Sequence, residues 1–387
     1  MNQWAYAAAY QLYELATPRN GTAGVGQAAI TDAAISYFNP AGMALLKNSQ
    51  FMLGTQLILP YSNFSARSTT TIPGINGGNS GSLVPGADFY FVYDYSPKLK
   101  IGASLTGPAG GAMNLDDHWV GRYFVQQMTF YTLNLNPSLS YKVNDWLAIG
   151  GGVAMEYANL YQTAAIPTGF PIDGQLTIKT DNFSPGFNLG VFLTPIAKTQ
   201  IGVAYRSQII HKLHGTATFF NISESPNVST KLILPANIIA SLSQKVTDKF
   251  TLLGELGWAN WSAMVNTTIT IQGVSSSVPQ NWHDTYRLGL GGRYQFSPQW
   301  LFQLGSSYDS SPTSSSKRTP NLPMDRQIRV GTGVEYLLIK AVKLGVSYEY
   351  INFGKANINN ISSTGILAGS YSRNFAHVFQ ASLNVDL

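Results

Sequence analysis

Apolar and polar residues alternate with a period of two along most of this chain, up to its last residue. In the final segment one face carries Phe379, Ala381, Leu383, Val385 and Leu387, and the other carries Gln380, Ser382, Asn384 and Asp386. Successive side chains of a β-strand point to opposite faces, so the alternation predicts strands with one apolar and one polar face. The fold class is therefore all-β.

Short turns and long polar loops alternate between the predicted strands. Asn144-Asp145 and Ser297-Pro298 mark short turns, whereas residues 62–83 and 161–182 have the Ser, Thr, Asn and Gly content of long loops. About fourteen strands fit this order. Outer-membrane barrels have short periplasmic turns, longer outer loops and an even strand number that closes the sheet. The pattern predicts a 14-stranded antiparallel transmembrane β-barrel.

The composition agrees with a barrel in lipid. Charged residues make up 11% of the 387 residues, aromatic residues make up 12%, and cysteine is absent. The chain contains no uninterrupted apolar run of about 18 residues, so the sequence predicts no transmembrane helix. The polar face of the predicted strands holds Arg329, Glu335 and Lys343, which suits a wet lumen, so the apolar face should meet lipid. Trp146, Phe250 and Trp300 beside short turns suit an interfacial aromatic belt.

The N-terminal part has a different pattern. Residues 21–43 are small, apolar and rich in Gly and Ala, and they end in Asn39-Pro40-Ala41-Gly42. The residue before a proline is disfavoured in a helix, so this stretch predicts a compact folded-back plug. Ala5-Tyr6-Ala7 fits a signal-cleavage site. We expect residues 1–48 to form a signal remnant and hatch, and residues 49–387 to form the barrel.

Two glycine patterns occur in the predicted wall. The third strand is interrupted by Gly107, Pro108, Ala109, Gly110 and Gly111, which predict a kink because Pro108 cannot donate to the ladder. An apolar residue and a glycine also recur shortly after short turns, at Gly102, Gly150, Gly202, Gly254, Gly305 and Gly345. We interpret this repeat as shared barrel geometry at one height.

Several segments resemble one known family in matching order along the whole chain. They are Tyr10-Gln11-Leu12-Tyr13-Glu14, residues 21–32, Asn39-Pro40-Ala41-Gly42-Met43, Leu234-Pro235, Trp258-Ala259-Asn260-Trp261-Ser262, Asp284-Thr285-Tyr286-Arg287, Tyr308-Asp309-Ser310-Ser311-Pro312 and Pro323-Met324-Asp325-Arg326. The chain resembles the FadL family (OmpP1/FadL/TodX) of outer-membrane transporters of hydrophobic compounds. The resemblance implies a fourteen-stranded barrel, an inserted N-terminal hatch and lateral release of substrate into the membrane through the kinked third strand.

From the residues and this resemblance we expect an apolar substrate pocket where Tyr10, Leu12, Tyr37 and Phe38 meet the barrel interior. Asn39, Pro40 and Ala41 should hold the hatch turn against the wall. Arg326 matches a basic residue of the family near the mouth of a strand, so it is also a candidate substrate residue.

The substrate is either a long-chain fatty acid or a monoaromatic hydrocarbon. Asn159 and the uncharged Val278-Pro279-Gln280 stand where fatty-acid members of the family carry charged residues. A carboxylate ligand favours charge-assisted partners, so these departures favour neutral substrates mildly.

Other functions fit the sequence less well. A general or anion-type porin would lack a plugging segment, and an outer-membrane lipid-modifying enzyme would need a catalytic set that no motif here provides. Asp116-Asp117-His118 and the pair His211 and His214 are weak metal candidates. We expect no cofactor, no metal, no nucleic-acid partner and a monomer among outer-membrane lipids.

Overall fold

The computed structural model describes residues 11–13, 15, 17–169, 172–219 and 225–387. Within these ranges the chain forms strand segments along most of residues 50–386. The segments are β1 Gln50–Ala66, β2 Val84–Asp94, β3 Leu99–Thr106, β4 Gly110–Asn114, β5 Gln127–Lys142, β6 Leu147–Ile166, β7 Gly174–Ile196, β8 Thr199–Arg206, β9 Ile209–Phe219, β10 Asn227–Leu234, β11 Asn237–Lys245, β12 Phe250–Ala259, β13 Asn266–Ile271, β14 Val274–Pro279, β15 Thr285–Gln295, β16 Trp300–Asp309, β17 Gln327–Ile339, β18 Val342–Asn352, β19 Ala356–Ser362 and β20 Gly365–Asp386.

The twenty segments form fourteen wall strands, as predicted. Six wall strands consist of two segments each, namely β3 with β4, β8 with β9, β10 with β11, β12 with β13, β14 with β15, and β18 with β19. All neighbouring pairs are antiparallel, and β1 pairs with β20 from Gln50 opposite Asp386 to Ala66 opposite Gly369. This last pairing closes the sheet into a barrel.

The wall is apolar outside and polar inside. In β20, Phe379 is 48% exposed whereas its neighbour Gln380 is buried, and the same alternation runs through β17, where Ile328 and Val330 are exposed and Arg329 is buried. Trp146, Trp300 and Phe250 are exposed next to short turns. The predicted orientation of the two faces is therefore correct.

The long loops are shorter than the sequence indicates. The segment expected to be a loop at residues 161–182 contains the ends of β6 and β7, which pair from Leu147 opposite Leu193 to Ile166 opposite Gly174. Likewise, β13 and β14 form a hairpin within the Thr/Ser-rich stretch that follows the 3-10 helix Trp261–Ala263. Most of the predicted outer loops are extensions of the wall strands.

Residues 17–46 form a compact segment of short helices, which we call the lumen segment. It contains the 3-10 helices Pro18–Thr22, Gln27–Ala29 and Pro40–Leu45 and the short α-helix α1 Ile35–Phe38. It contacts β3, β5, β6 and β7 on one side and β15, β16, β17 and β18 on the other. Because nearly all of it is buried, it lies inside the closed barrel. No helix among the described residues is long and apolar enough to cross a membrane.

Candidate binding site in the barrel lumen

Asn39 fixes the turn of the lumen segment that meets the wall. Its φ of −150° and ψ of 96° are extended, as expected before Pro40, and its Oδ1 accepts a hydrogen bond of 3.2 Å from the N–H of Ala41. Its Nδ2 donates to the carbonyl oxygens of Val191 at 3.2 Å and Val203 at 3.4 Å. One fully buried side chain therefore caps a helix and joins it to β7 and β8.

Glycines in the wall make room for the lumen segment. A Cβ added at Gly150 would overlap the backbone nitrogen of Ala41, and one at Gly305 would overlap the carbonyl oxygen of Thr22. Of the six glycines in the sequence repeat, five meet the lumen segment, namely Gly102, Gly150, Gly202, Gly305 and Gly345. The sixth, Gly254, has open space around its missing Cβ, because the neighbouring Leu253 and Glu255 are the residues that point inward.

A buried ionic cluster joins the lumen segment to the opposite wall. Its members are the guanidinium groups of Arg19, Arg287 and Arg329 and the carboxylates of Glu255, Asp309 and Glu349. The Arg19–Glu255 and Arg287–Asp309 pairs are each 2.7 Å apart. The ring of Tyr13 lies 4.2 Å from the guanidinium carbon of Arg287 and 5.1 Å from that of Arg329. Three positive charges therefore face three negative charges, so the cluster is balanced.

The wall is interrupted at the predicted kink. Pairing of β2 with β3 ends at Phe89 opposite Leu105. Further along the same wall strand, β4 pairs with β5, which lies on the side away from β2. Between β3 and β4, the carbonyl oxygen of Pro108 accepts a hydrogen bond of 2.9 Å from the N–H of Leu12. Gln11 also forms an isolated bridge with Ala109. The residues before the lumen segment thus occupy backbone positions that a neighbouring wall strand would normally fill.

Three cavities lie along the lumen. The first, the mouth cavity, has a volume of about 310 Å³ and is lined mainly by apolar side chains, among them Phe124, Met128, Phe130, Leu160, Leu213 and Leu232. The second, the kink cavity, is lined by Leu12, Ile58, Gly110, Gly111, Met113, Met128 and Phe353. The third, the polar cavity, is lined by Gln11, Leu12, Arg19, Tyr37, Phe38, Asn188 and Arg206. The mouth and kink cavities share Met128, and the kink and polar cavities share Gln11 and Leu12.

The structure brings together part of the predicted substrate set. Leu12, Tyr37 and Phe38 all line the polar cavity, and the rings of Tyr37 and Phe38 meet edge to face with centroids 5.3 Å apart. Asn39 follows them but faces the wall, as described above. Arg326 lines none of the three cavities and donates to Asn352 at 3.2 Å. Tyr10 lies outside the described residues.

Arg206 is a lumen residue that sequence reasoning missed. Its guanidinium donates to the carbonyl oxygen of Tyr37 at 2.8 Å and lies 3.9 Å from the centre of the Tyr37 ring. In β8 it falls on the same face as Gly202 and Ala204, which point inward. The alternation could have marked it as a charge on the lumen face, but not as part of a cavity.

The argument from Asn159 does not hold in the structure. Asn159 donates to the hydroxyl of Tyr157 at 3.4 Å, and Tyr157 packs against the exposed ring of Phe183. These contacts place Asn159 on the outer face of β6. A neutral residue at this position therefore says nothing about a ligand in the lumen.

The weak metal candidates do not form ligand sets. His211 is buried and lies 3.1 Å from Glu156, whereas His214 is exposed on the opposite face of β9. The spacing of three residues separates the two rings because side chains in a strand alternate. Among the described residues, no group of three or more His, Cys, Asp or Glu could hold a metal ion.

Comparisons with known proteins agree with this architecture. The model of a family described as outer membrane protein transport protein (OMPP1/FadL/TodX) matches residues 1–386. The long-chain fatty acid transport protein of Escherichia coli O6:H1 is 23% identical, with 90% of this chain and 87% of that protein covered.

Two solved structures share the fold. A Pseudomonas aeruginosa FadL homologue has a TM-score of 0.90 at 21% identity, covering 98% of this chain and 100% of that one. The Ralstonia pickettii toluene transporter TbuX has a TM-score of 0.73 at 19% identity, covering 97% and 100%.

Family membership confirms one of the sequence-based predictions and excludes one of the alternatives. It places the barrel in the bacterial outer membrane and excludes the lipid-modifying enzyme, since members are transport channels. The chain belongs to the OMPP1/FadL/TodX family of outer membrane transport proteins, which carry hydrophobic molecules.

Proposed function

We propose that this protein is a passive uptake channel that releases hydrophobic molecules sideways into the outer membrane at the kinked third strand. The observation that carries the proposal is the chain of adjoining cavities that runs from the mouth to the interrupted pairing between β2 and β3. Met128 lines both the mouth cavity and the kink cavity, so the two lie side by side, and in this proposal substrate passes from the first to the second. The relatives transport long-chain fatty acids or toluene, and the substrate of this chain falls within that range.

Lateral release is physically reasonable for such substrates. A hydrophobic molecule that left through a water-filled pore would expose its apolar surface again, at about 25 cal/mol per Å². A gap in the wall requires backbone groups that are not paired with the next strand. At the kink, Pro108 has no N–H to leave unpaired, and the N–H of Gly107 donates to Asp88 at 3.1 Å.

The lumen segment fits the role of a hatch within residues 1–48. It packs tightly against the inward-facing glycines of the wall, and its Asn39 turn and ionic cluster join it to opposite sides of the barrel. In this proposal it prevents leakage of water-soluble solutes, while residues 49–387 form the barrel. Because β1 pairs with β20 and the barrel closes within one chain, we also propose that the protein works as a monomer.

Uptake measurements in cells test this function. Bacteria that lack their own hydrophobic uptake channels, with and without this protein, receive radiolabelled long-chain fatty acids and monoaromatic hydrocarbons. We expect the protein to accelerate uptake of at least one of these classes and to show little ion conductance in planar bilayers. High, steady conductance without accelerated uptake would instead support a porin.

A further inference from the structure

We propose that Lys212 and Lys231 bind a phosphate on the sugar head group of an outer-leaflet lipid, at the outer surface of the barrel. This site lies outside the lumen, so the inference goes beyond the proposed function and does not depend on which molecule is transported. It assigns a specific lipid neighbour to a wall that otherwise meets the membrane through apolar side chains.

The two lysines lie directly opposite each other on neighbouring strands. Lys212 in β9 is the register partner of Lys231 in β10. Lys212 points outward, because His211 and Leu213 on either side of it are fully buried on the inner face. Directly opposite residues of antiparallel strands share one face, so Lys231 points outward as well, although it also borders the mouth cavity. Both lysines are exposed.

The positive charge of this pair is not compensated by the protein. Directly opposite side chains have Cβ atoms about 5 Å apart, and like charges at that separation are destabilising. Asp181 lies on the same face opposite His214, and Lys179 adds a further positive charge on β7. In the part of the chain that the structure describes, none of the three lysines forms an ion pair, and neither does Asp181. An anion between Lys212 and Lys231 would remove their repulsion.

The lysine pair lies where the apolar outer surface of the wall ends. Along β9 the exposed outward residues change from Ile210 to Lys212, and along the neighbouring β7 they change from Phe183 to Asp181. In both strands the change occurs toward the end of the barrel away from the short turn between β7 and β8. That end faces the cell exterior in an outer-membrane barrel, so the lysines stand at the level of the outer lipid head groups. Basic side chains at this level attract anionic head groups.

A polar groove adjoins the pair and has room for the sugar of such a head group. Its volume is about 400 Å³, and its lining includes His214, Asn227, Ser229, Thr270 and Gln272. His214 and Ser229 are opposite each other on the same face, two positions from the lysines, so the groove begins beside the pair. The described residues that line the groove supply hydrogen-bond donors and acceptors but no carboxylate. A phosphorylated sugar matches this order, with its phosphate on the lysines and its hydroxyl groups in the groove.

The test compares one lipid with and without its phosphate groups. The purified wild type in a non-ionic detergent is titrated with lipid A, a phosphorylated disaccharide lipid, and with the same lipid after its phosphates have been removed. Native mass spectrometry gives the dissociation constant for each lipid. We expect the phosphate-free lipid to bind the wild type at least about tenfold more weakly, because charge-assisted hydrogen bonds are lost. The double variant Lys212→Gln/Lys231→Gln should bind lipid A about tenfold to a hundredfold more weakly than the wild type and should no longer distinguish the two lipids.

A second double variant controls for a general loss of positive charge. Lys198 and Lys249 are exposed in short turns at the other end of the barrel, so Lys198→Gln/Lys249→Gln should bind both lipids as the wild type does. Heat-dependent gel migration checks that each variant is an assembled barrel.

Three results would overturn the inference. The first is that the wild type binds lipid A no more tightly than its phosphate-free form. The second is that the Lys212→Gln/Lys231→Gln variant binds lipid A like the wild type, or no more weakly than the control variant does. The third is that inorganic phosphate binds the wild type as tightly as lipid A, since the site would then recognise a free anion and not a lipid.

Discussion

Single side chains in this protein connect parts of the fold that are far apart in sequence. Asn39 bonds to β7 and β8, more than 150 residues away, and the ring of Tyr13 lies close to the guanidinium groups of both Arg287 and Arg329. The sequence predicted that Asn39 begins a turn, because Pro40 follows it. It could not predict the wall partners of Asn39, since these depend on which strands lie beside the turn once the barrel has closed.

The first prediction concerns Asn39. Asn39→Ala removes the cap on Ala41 and both bonds to the wall, so we expect the free energy of unfolding to fall by about 1–3 kcal/mol. The barrel should still assemble, but uptake should decrease because the hatch is held less firmly. Urea unfolding and uptake in cells measure the two effects.

Asn144 provides the matched control for this variant. Its Oδ1 accepts from the N–H groups of Trp146 and Leu147 in an exposed short turn, far from the lumen. Asn144→Ala should destabilise the turn without reducing uptake per assembled barrel. Normal uptake by a correctly inserted Asn39→Ala protein would argue against the role of this turn.

At the level of strands, the sequence was informative where lipid imposes a pattern. The alternation in β17, β18 and β20 predicted both their existence and their orientation, because one face meets lipid and the other meets the lumen. The extensions of β6, β7, β13 and β14 were missed, since strands that lie beyond the membrane have no need for an apolar face. Their Thr, Ser and Gly content therefore gave the impression of loops.

The glycine repeat also has a physical cause that the sequence did not reveal. We interpreted the repeat as barrel geometry alone, but five of its six glycines leave space for the lumen segment. The repeat could not identify Gly254 as the exception. In β12 the glycine of the repeat faces outward, whereas in the other strands it faces the lumen. Only the registers of the neighbouring strands distinguish an inward glycine from an outward one.

The second prediction compares two glycines of this repeat. Gly150→Ala places a methyl group against the backbone of Ala41 and should displace the lumen segment, whereas Gly254→Ala meets open space. Ion conductance in planar bilayers should be low for the wild type and for Gly254→Ala, and higher for Gly150→Ala. Equal conductance of all three proteins would show that packing against Gly150 does not keep the hatch in place.

At the scale of the whole molecule, the predicted 14-stranded barrel is confirmed, whereas the hatch within residues 1–48 and the exit at the third strand stay predictions. The cavities could not be predicted, because each is lined by residues from many strands and from the N-terminal part together. The same reason explains why Arg206 was missed. Sequence position also misled about Asn159, because one step along a strand separates the lumen from the lipid.

The wall gap and the kink cavity make the central claim testable with a single substitution. Gly111 lines the kink cavity, pairs with the buried Phe130 and has no atom within 4 Å of a Cβ placed on it. Gly111→Trp should therefore fill the cavity beside the gap without disturbing the backbone. Gly107 and Ala109 are less suitable, since neither lines the kink cavity and Ala109 is buried among wall residues.

The most direct measurement is the initial rate of uptake of a radiolabelled hydrophobic substrate by cells that produce Gly111→Trp, with Gly254→Trp as the control on the outer face. Both variants should assemble into heat-stable barrels. If substrate leaves through the wall at the kink, Gly111→Trp reduces uptake to nearly the level of cells without the protein, whereas Gly254→Trp transports normally. Normal uptake by Gly111→Trp would mean that substrate leaves by another path, past the lumen segment, and would contradict lateral release.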